Sequence, residues 1–214
     1  MRAHLVSSPK NAEVGVPFVV EIEVENTRST ITPVRLDVHG LDNSSFNSSP
    51  LEVALFPEEI QRFDIEINLP YTTPAGPLHL TGVLITEPEN SISLEIDIEV
   101  LPRYEALLTA SPRQMLRGSK AEVQALVRNE GNLSVAMGVN AIDPAAELQF
   151  VVEPEISLVA PQSDASFRVA ARKRRPFWGA PIPRDFQIEL VGAAEPQSAL
   201  ITFVQKPLIN RGIL

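Results

Sequence analysis

One phrase of this sequence occurs twice. Val20, Ile22 and Val24 alternate with Glu21, Glu23 and Glu25 and stop at Asn26, the period-two pattern of a strand with one wet face. Val123, Ala125, Val127 and Asn129 repeat it 103 residues later. Two copies of one β-domain follow, and a chain of 214 residues divides into two of about 100, each large enough to bury roughly two-thirds of its unfolded surface. Other landmarks recur as well. Pro9 and Gly15 return as Pro112 and Gly118, and Pro50, Pro57, Phe63 and Ile65 return as Pro154, Pro161, Phe167 and Val169. Glu87-Pro88 returns as Glu195-Pro196, so the offset grows from 103 through 104 to 108. Four extra residues therefore enter the second copy between Val169 and Glu195, beside the run Arg172 to Trp178.

Within the first copy, Leu5-Val6 and the Ser8-Pro9-Lys10 step read as an edge strand before a turn at Gly15-Val16-Pro17. Strands follow at Phe18–Glu25, around Val34, Leu36 and Val38, at 51–56, and around Phe63, Ile65, Ile67 and Leu69. Leu41 to Pro50 reads as a polar loop, and 78–86 and 92–100 as a closing hairpin around Glu87-Pro88-Glu89-Asn90. About seven short strands with turn signals every 8–12 residues, and no helical period, predict an all-β chain of two tandem immunoglobulin-like antiparallel β-sandwiches. The expected domains are 1–101, acidic, and 102–206, with the basic–aromatic insertion, followed by a tail at 207–214. The linker Val100-Leu101-Pro102-Arg103 leaves little slack, which predicts a roughly end-to-end rod. The second copy has Gly131 in the turn after its repeated phrase, where the first has Arg28. Arg at positive φ costs on the order of 1 kcal/mol or more, so the first turn is expected to be longer or of another type.

Composition excludes several classes. Residues 1–101 carry 5 Lys+Arg against 16 Asp+Glu, a net −11, while residues 102–214 carry +2. An acidic first domain argues against nucleic-acid binding, which runs on Lys/Arg clusters. No cysteine is present, so disulfides and thiolate metal sites are out. The opening Met1 to Pro9 has no apolar core of a secretory signal, and no run reaches the ~20 apolar residues of a membrane helix.

The turn after the alternating strand, a Pro some thirty residues on, and a Phe-x-Val strand resemble the small bacterial sandwich modules known as CARDB-like and NEW3-like. Over nearly the whole chain, the sequence also resembles the N-terminal region of a group of uncharacterised bacterial membrane proteins loosely labelled "hydrolytic protein". There the second domain carries a basic run, an aromatic pair and a Pro-x-x-x-Phe strand, here Arg172 to Trp178 and then Pro181 to Phe186. A segment like Val204 to Ile209 then leads into a membrane helix. The resemblance implies a juxtamembrane tail and association with the cytoplasmic side of a membrane; the label's hydrolysis has no residues behind it in this sequence and is not carried over.

No catalytic constellation is legible. His4, His39 and His79 lack partners at recognisable spacing, and neither a Gly-x-Ser-x-Gly elbow nor His-Glu-x-x-His occurs. Glu21/Glu23/Glu25 and Glu95/Asp97/Glu99, spaced by two, read as wet strand faces rather than the buried acid a glycosidase requires. Asp37, Asp42 and Asn43 lack the EF-hand spacing. No enzyme activity, cofactor or metal is expected. Asn43, Asn47 and Asn132 head glycosylation sequons that read as coincidences in loops.

The expected partner site is Arg172, Lys173, Arg174, Arg175, Phe177 and Trp178. Its bland reading is a strand end whose aromatics cap the core. Its functional reading is a contact surface, since Arg and Trp dominate hot spots and basic–aromatic segments suit an anionic membrane interface. The expected function is a non-enzymatic interaction or scaffold module of a membrane-anchored bacterial protein. Its partner would be another protein (a large cytoplasmic assembly or a second copy) or an anionic membrane surface. The alternatives are a carbohydrate-binding or adhesion module at the cell surface, and a passive spacer.

Overall fold

The computed structural model describes residues 1–87 and 90–210. Pro88 and Glu89, at the tip of the expected hairpin, and the end of the tail lie outside the described residues. The chain's internal contacts divide it into Met1–Arg103 and Tyr104–Leu214, and each unit is an immunoglobulin-like β-sandwich.

In the first unit, β1 (Arg2–Ser7), β3 (Phe18–Glu25), β7 (Ile60–Ile67) and β5 (Phe46–Ser49) form one sheet in the order β1-β3-β7-β5. The other contains β2 (Asn11–Ala12), β9 (Asn90–Val100), β8 (Gly76–Glu87), β4 (Thr32–His39) and β6 (Glu52–Leu55), in the order β2-β9-β8-β4-β6. The second unit repeats both orders. One sheet is β10-β12-β16-β14, built from Ala106–Ser111, Lys120–Asn129, Asp164–Arg172 and Gln149–Glu153. The other is β11-β19-β18-β13-β15, built from Gln114–Arg117, Ser198–Gln205, Ile182–Val191, Val135–Ile142 and Ile156–Val159. Two further short strands, β17 (Trp178–Gly179) and β20 (Ile209–Asn210), make a small sheet of their own in the second unit.

The alternating apolar positions supply the cores. Val20, Ile22 and Val24 are fully buried with Phe63, Ile65 and Ile67 on the paired strand, and Val123, Ala125 and Val127 are buried with Phe167 and Val169. Two details depart from the sequence reading. The segment expected to be a polar loop, Leu41 to Pro50, contains a 3-10 turn at Asn43–Ser45 and the edge strand β5. Its polarity reflects an edge position rather than the absence of a strand. The sandwiches are also not wholly antiparallel. After β1 and β10 the chain crosses to the opposite sheet, so β2 runs parallel to β9 and β11 parallel to β19.

The two turns expected to differ are alike. Asn26 is fully buried; its Nδ2 donates to the carbonyls of Thr30 (2.9 Å) and Leu55 (2.9 Å), and its Oδ1 accepts from the Arg28 N–H (3.0 Å). Asn129 donates to Leu133 O (2.8 Å) and Val159 O (2.9 Å) and accepts from Gly131 N (3.0 Å). Neither Arg28 nor Gly131 has positive φ. The asparagine amide makes the turn, so a glycine is not required, and the same amide ties the end of a strand in one sheet to the end of β6 or β15 in the other. Positive φ falls instead at Glu58 and Gln162, the third residues of matching Pro-containing turns closed by Glu59 N to Phe56 O (3.1 Å) and Ser163 N to Ala160 O (3.3 Å). That is the pattern of a type II turn.

Candidate functional site

The run Arg172 to Trp178 leaves the end of β16 and forms the connection to β18. It does two different things. Lys173 and Arg175 are committed to the fold. The Lys173 ammonium lies 2.7 Å from a Glu147 carboxylate oxygen, and Glu147 also pairs with the mostly buried Arg184. Arg175 turns inward over Gly118 and donates through Nε to Lys206 O (2.8 Å) and through an Nη to Pro207 O (2.9 Å). Hydrogen bonds from a charged donor to fixed carbonyls are among the stronger kind, so this guanidinium clamps the segment to the chain leaving the domain.

Gln205 reinforces the clamp. It is fully buried, accepts from Arg184 Nε (3.0 Å), and donates to the carbonyls of Lys173 (3.1 Å) and Arg174 (3.3 Å). Backbone bonds from Leu208 N to Pro176 O and from Ile209 N to Phe177 O, both 2.9 Å, complete a short parallel ladder. Pro207 is buried, and the described part of the tail is docked along the basic–aromatic segment.

Arg172 and Arg174 remain exposed, as do Phe177 and Trp178, which are 69% and 62% accessible. The aromatic pair does not cap the core; Trp178 stands beside Ile209, and Leu208 and Ile209 are exposed with it. On the neighbouring strands Arg172 sits directly between Lys120 and Gln149. With Lys173 and Arg174, these residues line an open concavity of about 630 Å³. Two cations facing each other across a ladder are mutually destabilising. Glu122 relieves part of this: its hydrogen bond with Lys120, then the Lys120 charge, with Arg168 and Arg172 adding to it, hold its carboxyl below the usual range. The outcome is a cationic groove and an exposed aromatic step, both carried on braced backbone.

The other candidates do not converge. His4 on β1 lies 3.6 Å from Glu23 on β3, His39 lies 3.9 Å from Asp37 on β4, and His79 on β8 lies 2.6 Å from Asp97 on β9, three separate pairs with each histidine exposed. The two acidic faces belong to β3 and β9, in opposite sheets. On β3, Glu21 opposes Asp64, and Glu23 bonds Arg62 (3.2 Å). Among the described residues no three carboxylates or histidines group as metal ligands. Asn132 is buried, so that sequon presents no free amide. Lys120, Arg184, Gln205, Glu147 and Ile209 are the residues of this region that sequence reasoning missed. Only Gln205 and Ile209 left a trace, as members of the segment Val204 to Ile209, and nothing in the sequence marks what they bind.

No protein-family model matches the chain, and no curated protein matches it. Among solved structures it is similar to the D00-D0 domain of intimin, at 11% identity over 95% of this chain and 98% of that one, with a TM-score of 0.42. It is also similar to the CupB2 chaperone of Pseudomonas aeruginosa (10% identity, 92% and 99% covered, TM-score 0.33) and to a chain of the SafA pilin–SafB chaperone complex of Salmonella enterica (13%, 95% and 96%, TM-score 0.33). With scores this low, the fold assignment rests on the strand order and the two cores.

Proposed function

We propose that the chain is a non-enzymatic interaction module, the membrane-proximal part of an anchored bacterial scaffold on the cytoplasmic side, and that the basic–aromatic end of its second domain docks on anionic lipid head groups. The observation that carries this reading is the exposure of Phe177 and Trp178 on a segment braced from behind by Arg175 and Gln205. Leaving that much aromatic surface in water forfeits roughly 25 cal/mol per Å², and Arg172 and Arg174 flank it with charge. Such a pairing suits an interface where ring and cation meet lipid together. The resemblance of the sequence to the N-terminal region of bacterial membrane proteins, whose second domain leads into a membrane helix, supports the same reading.

Vesicle flotation tests it. The protein should float with vesicles containing anionic phosphatidylglycerol and not with neutral phosphatidylcholine. Arg172→Gln with Arg174→Gln should weaken binding by roughly 30-fold, at about 1 kcal/mol per cation near the surface. Failure to float with the anionic vesicles would overturn the membrane reading, and equal flotation with both vesicle types would overturn its dependence on anionic head groups. An acidic protein is the second reading, supported by the surplus of carboxylates on the first domain, where Glu21 opposes Asp64. Cross-linking in the native membrane fraction would identify such a partner, whether a large assembly or another copy.

A further inference from the structure

The two domains finish the same sheet edge differently. In the first, β6 closes its sheet against β4, and its outward residues are Glu52 and Ala54. An outward charge on an exposed edge is a common block against a further strand. In the second, β15 holds that place against β13, with Val135 opposite Val159 and Gly138 opposite Ile156. Its outward residues are Ile156 and Leu158, 67% and 73% accessible, while Val159 is buried in the sandwich. No charge occurs from Ile156 through Ser163. The apolar strip continues inward, for Leu158 opposes Ala136, Ile156 opposes Gly138, and Gly138 opposes Val191, itself exposed. The Glu155 carbonyl lies so close over Gly138 that a Cβ there would meet it at 2.5 Å, so the edge is seated firmly on its neighbour. Among the described residues, every other sandwich edge has a charged, amide or hydroxyl side chain at an outward position.

We propose that β15 of one copy pairs antiparallel with β15 of a second copy, about a twofold axis through Ser157. In that register Ile156 lies opposite Leu158 of the second copy, and Leu158 opposite its Ile156, all on the same face. Charge selects this occupant. Glu153 and Glu155 fall opposite Pro161 and Val159 of the second copy, so no like charges meet, whereas a charged partner strand would find no counter-charge between Ile156 and Ser163. The contact is isologous and closed, so it stops at a dimer. A four-residue edge buries far less than the roughly 800 Å² per partner of a stable interface, which makes the dimer transient in dilute solution. Arg172, Arg174, Phe177 and Trp178 take no part, so this inference stands apart from membrane docking.

Sedimentation of the full chain from about 10 μM to about 1 mM, the range in which weak contacts of this size populate, tests the pairing. The mean mass should rise from 23.4 kDa toward twice that value. Ile156→Glu with Leu158→Glu, which copies the charge of the first-domain edge, should leave a monomer at every concentration with an unchanged circular dichroism spectrum. Residues directly opposite on antiparallel strands have Cα atoms about 4.5–5.5 Å apart, within disulfide reach. Ser157→Cys, in a chain with no other cysteine, should therefore oxidise to a covalent dimer, while Ala54→Cys on the first-domain edge should not. A mass independent of concentration would overturn the proposal. So would association that survives the glutamates, or equal cross-linking by the Ala54→Cys and Ser157→Cys variants. Should the glutamate variant unfold, the two cysteine variants still decide.

Discussion

Tyr71 and Arg175 occupy equivalent places in two copies of one frame, and they solve the same problem with opposite chemistry. In the first domain the loop at 68–75 lays the Tyr71 ring over Gly15, and Arg103, on the chain leaving the domain, stacks on that ring at 4.5 Å. In the second domain the loop at 173–181 lays the Arg175 side chain over Gly118, and the departing chain offers carbonyls at Lys206 and Pro207. The cation has moved from the exit strand to the loop. What this teaches is where the frame ends and individuality begins. The asparagine ties, cores and strand order are shared; the loop that follows the seventh strand is where each domain acquires its own surface. Because Arg175 reaches inward, the two aromatics after it are carried outward.

Three sets of substitutions test how far the equivalence of the two domains extends. The largest effect belongs to the shared frame. Asn26→Ala and Asn129→Ala each strand buried carbonyls and an N–H, at about 2–4 kcal/mol. Urea unfolding should show similar losses, each confined to its own domain, and unequal losses would mean that the two ties are not equivalent. Next comes the glycine pair. Gly15 has φ +76°, and a Cβ there would fall 2.6 Å from the Tyr71 ring, whereas at Gly118 the nearest atoms are 3.6 Å away with no positive φ. Gly15→Ala should cost roughly 2 kcal/mol, while Gly118→Ala should be neutral or slightly stabilising. Equal thermal shifts would refute the contrast between Tyr71 and Arg175. The smallest concerns Ser48, whose buried hydroxyl has no hydrogen-bond partner among the described residues, and whose counterpart on β14 is Val152. Ser48→Val should raise the first domain's stability by about 1 kcal/mol, read as a higher melting temperature.

Strands with an inward apolar row are legible in the sequence because burial writes a period of two into Val20-Ile22-Val24 and its repeat. Edge strand β5 is not, since Asn47 and Ser49 face water and leave no such mark. The turn at Asn26 misleads for a related reason: a missing glycine suggests a different turn, but a side-chain amide can do the work of a special backbone conformation. At the candidate site the composition is visible and the division of labour is not. Nothing local to Arg172-Lys173-Arg174-Arg175 distinguishes the cation that binds Lys206 and Pro207 from those that face solvent. The partners lie more than thirty residues away in sequence, and only the closed sandwich brings them together.

The crossing of each first strand to the opposite sheet has a mechanical consequence. Because β2 and β11 lie parallel to β9 and β19, the last strands of the two sandwiches, a pull on the two ends of either sandwich slides these neighbours past each other. The bonds from Glu99 to Lys10 and Leu101 to Ala12, or from Thr202 to Arg113 and Lys206 to Arg117, then carry the load together instead of opening one at a time like a zip. The four-residue ladder of the second domain should yield at a higher force than the two-residue ladder of the first.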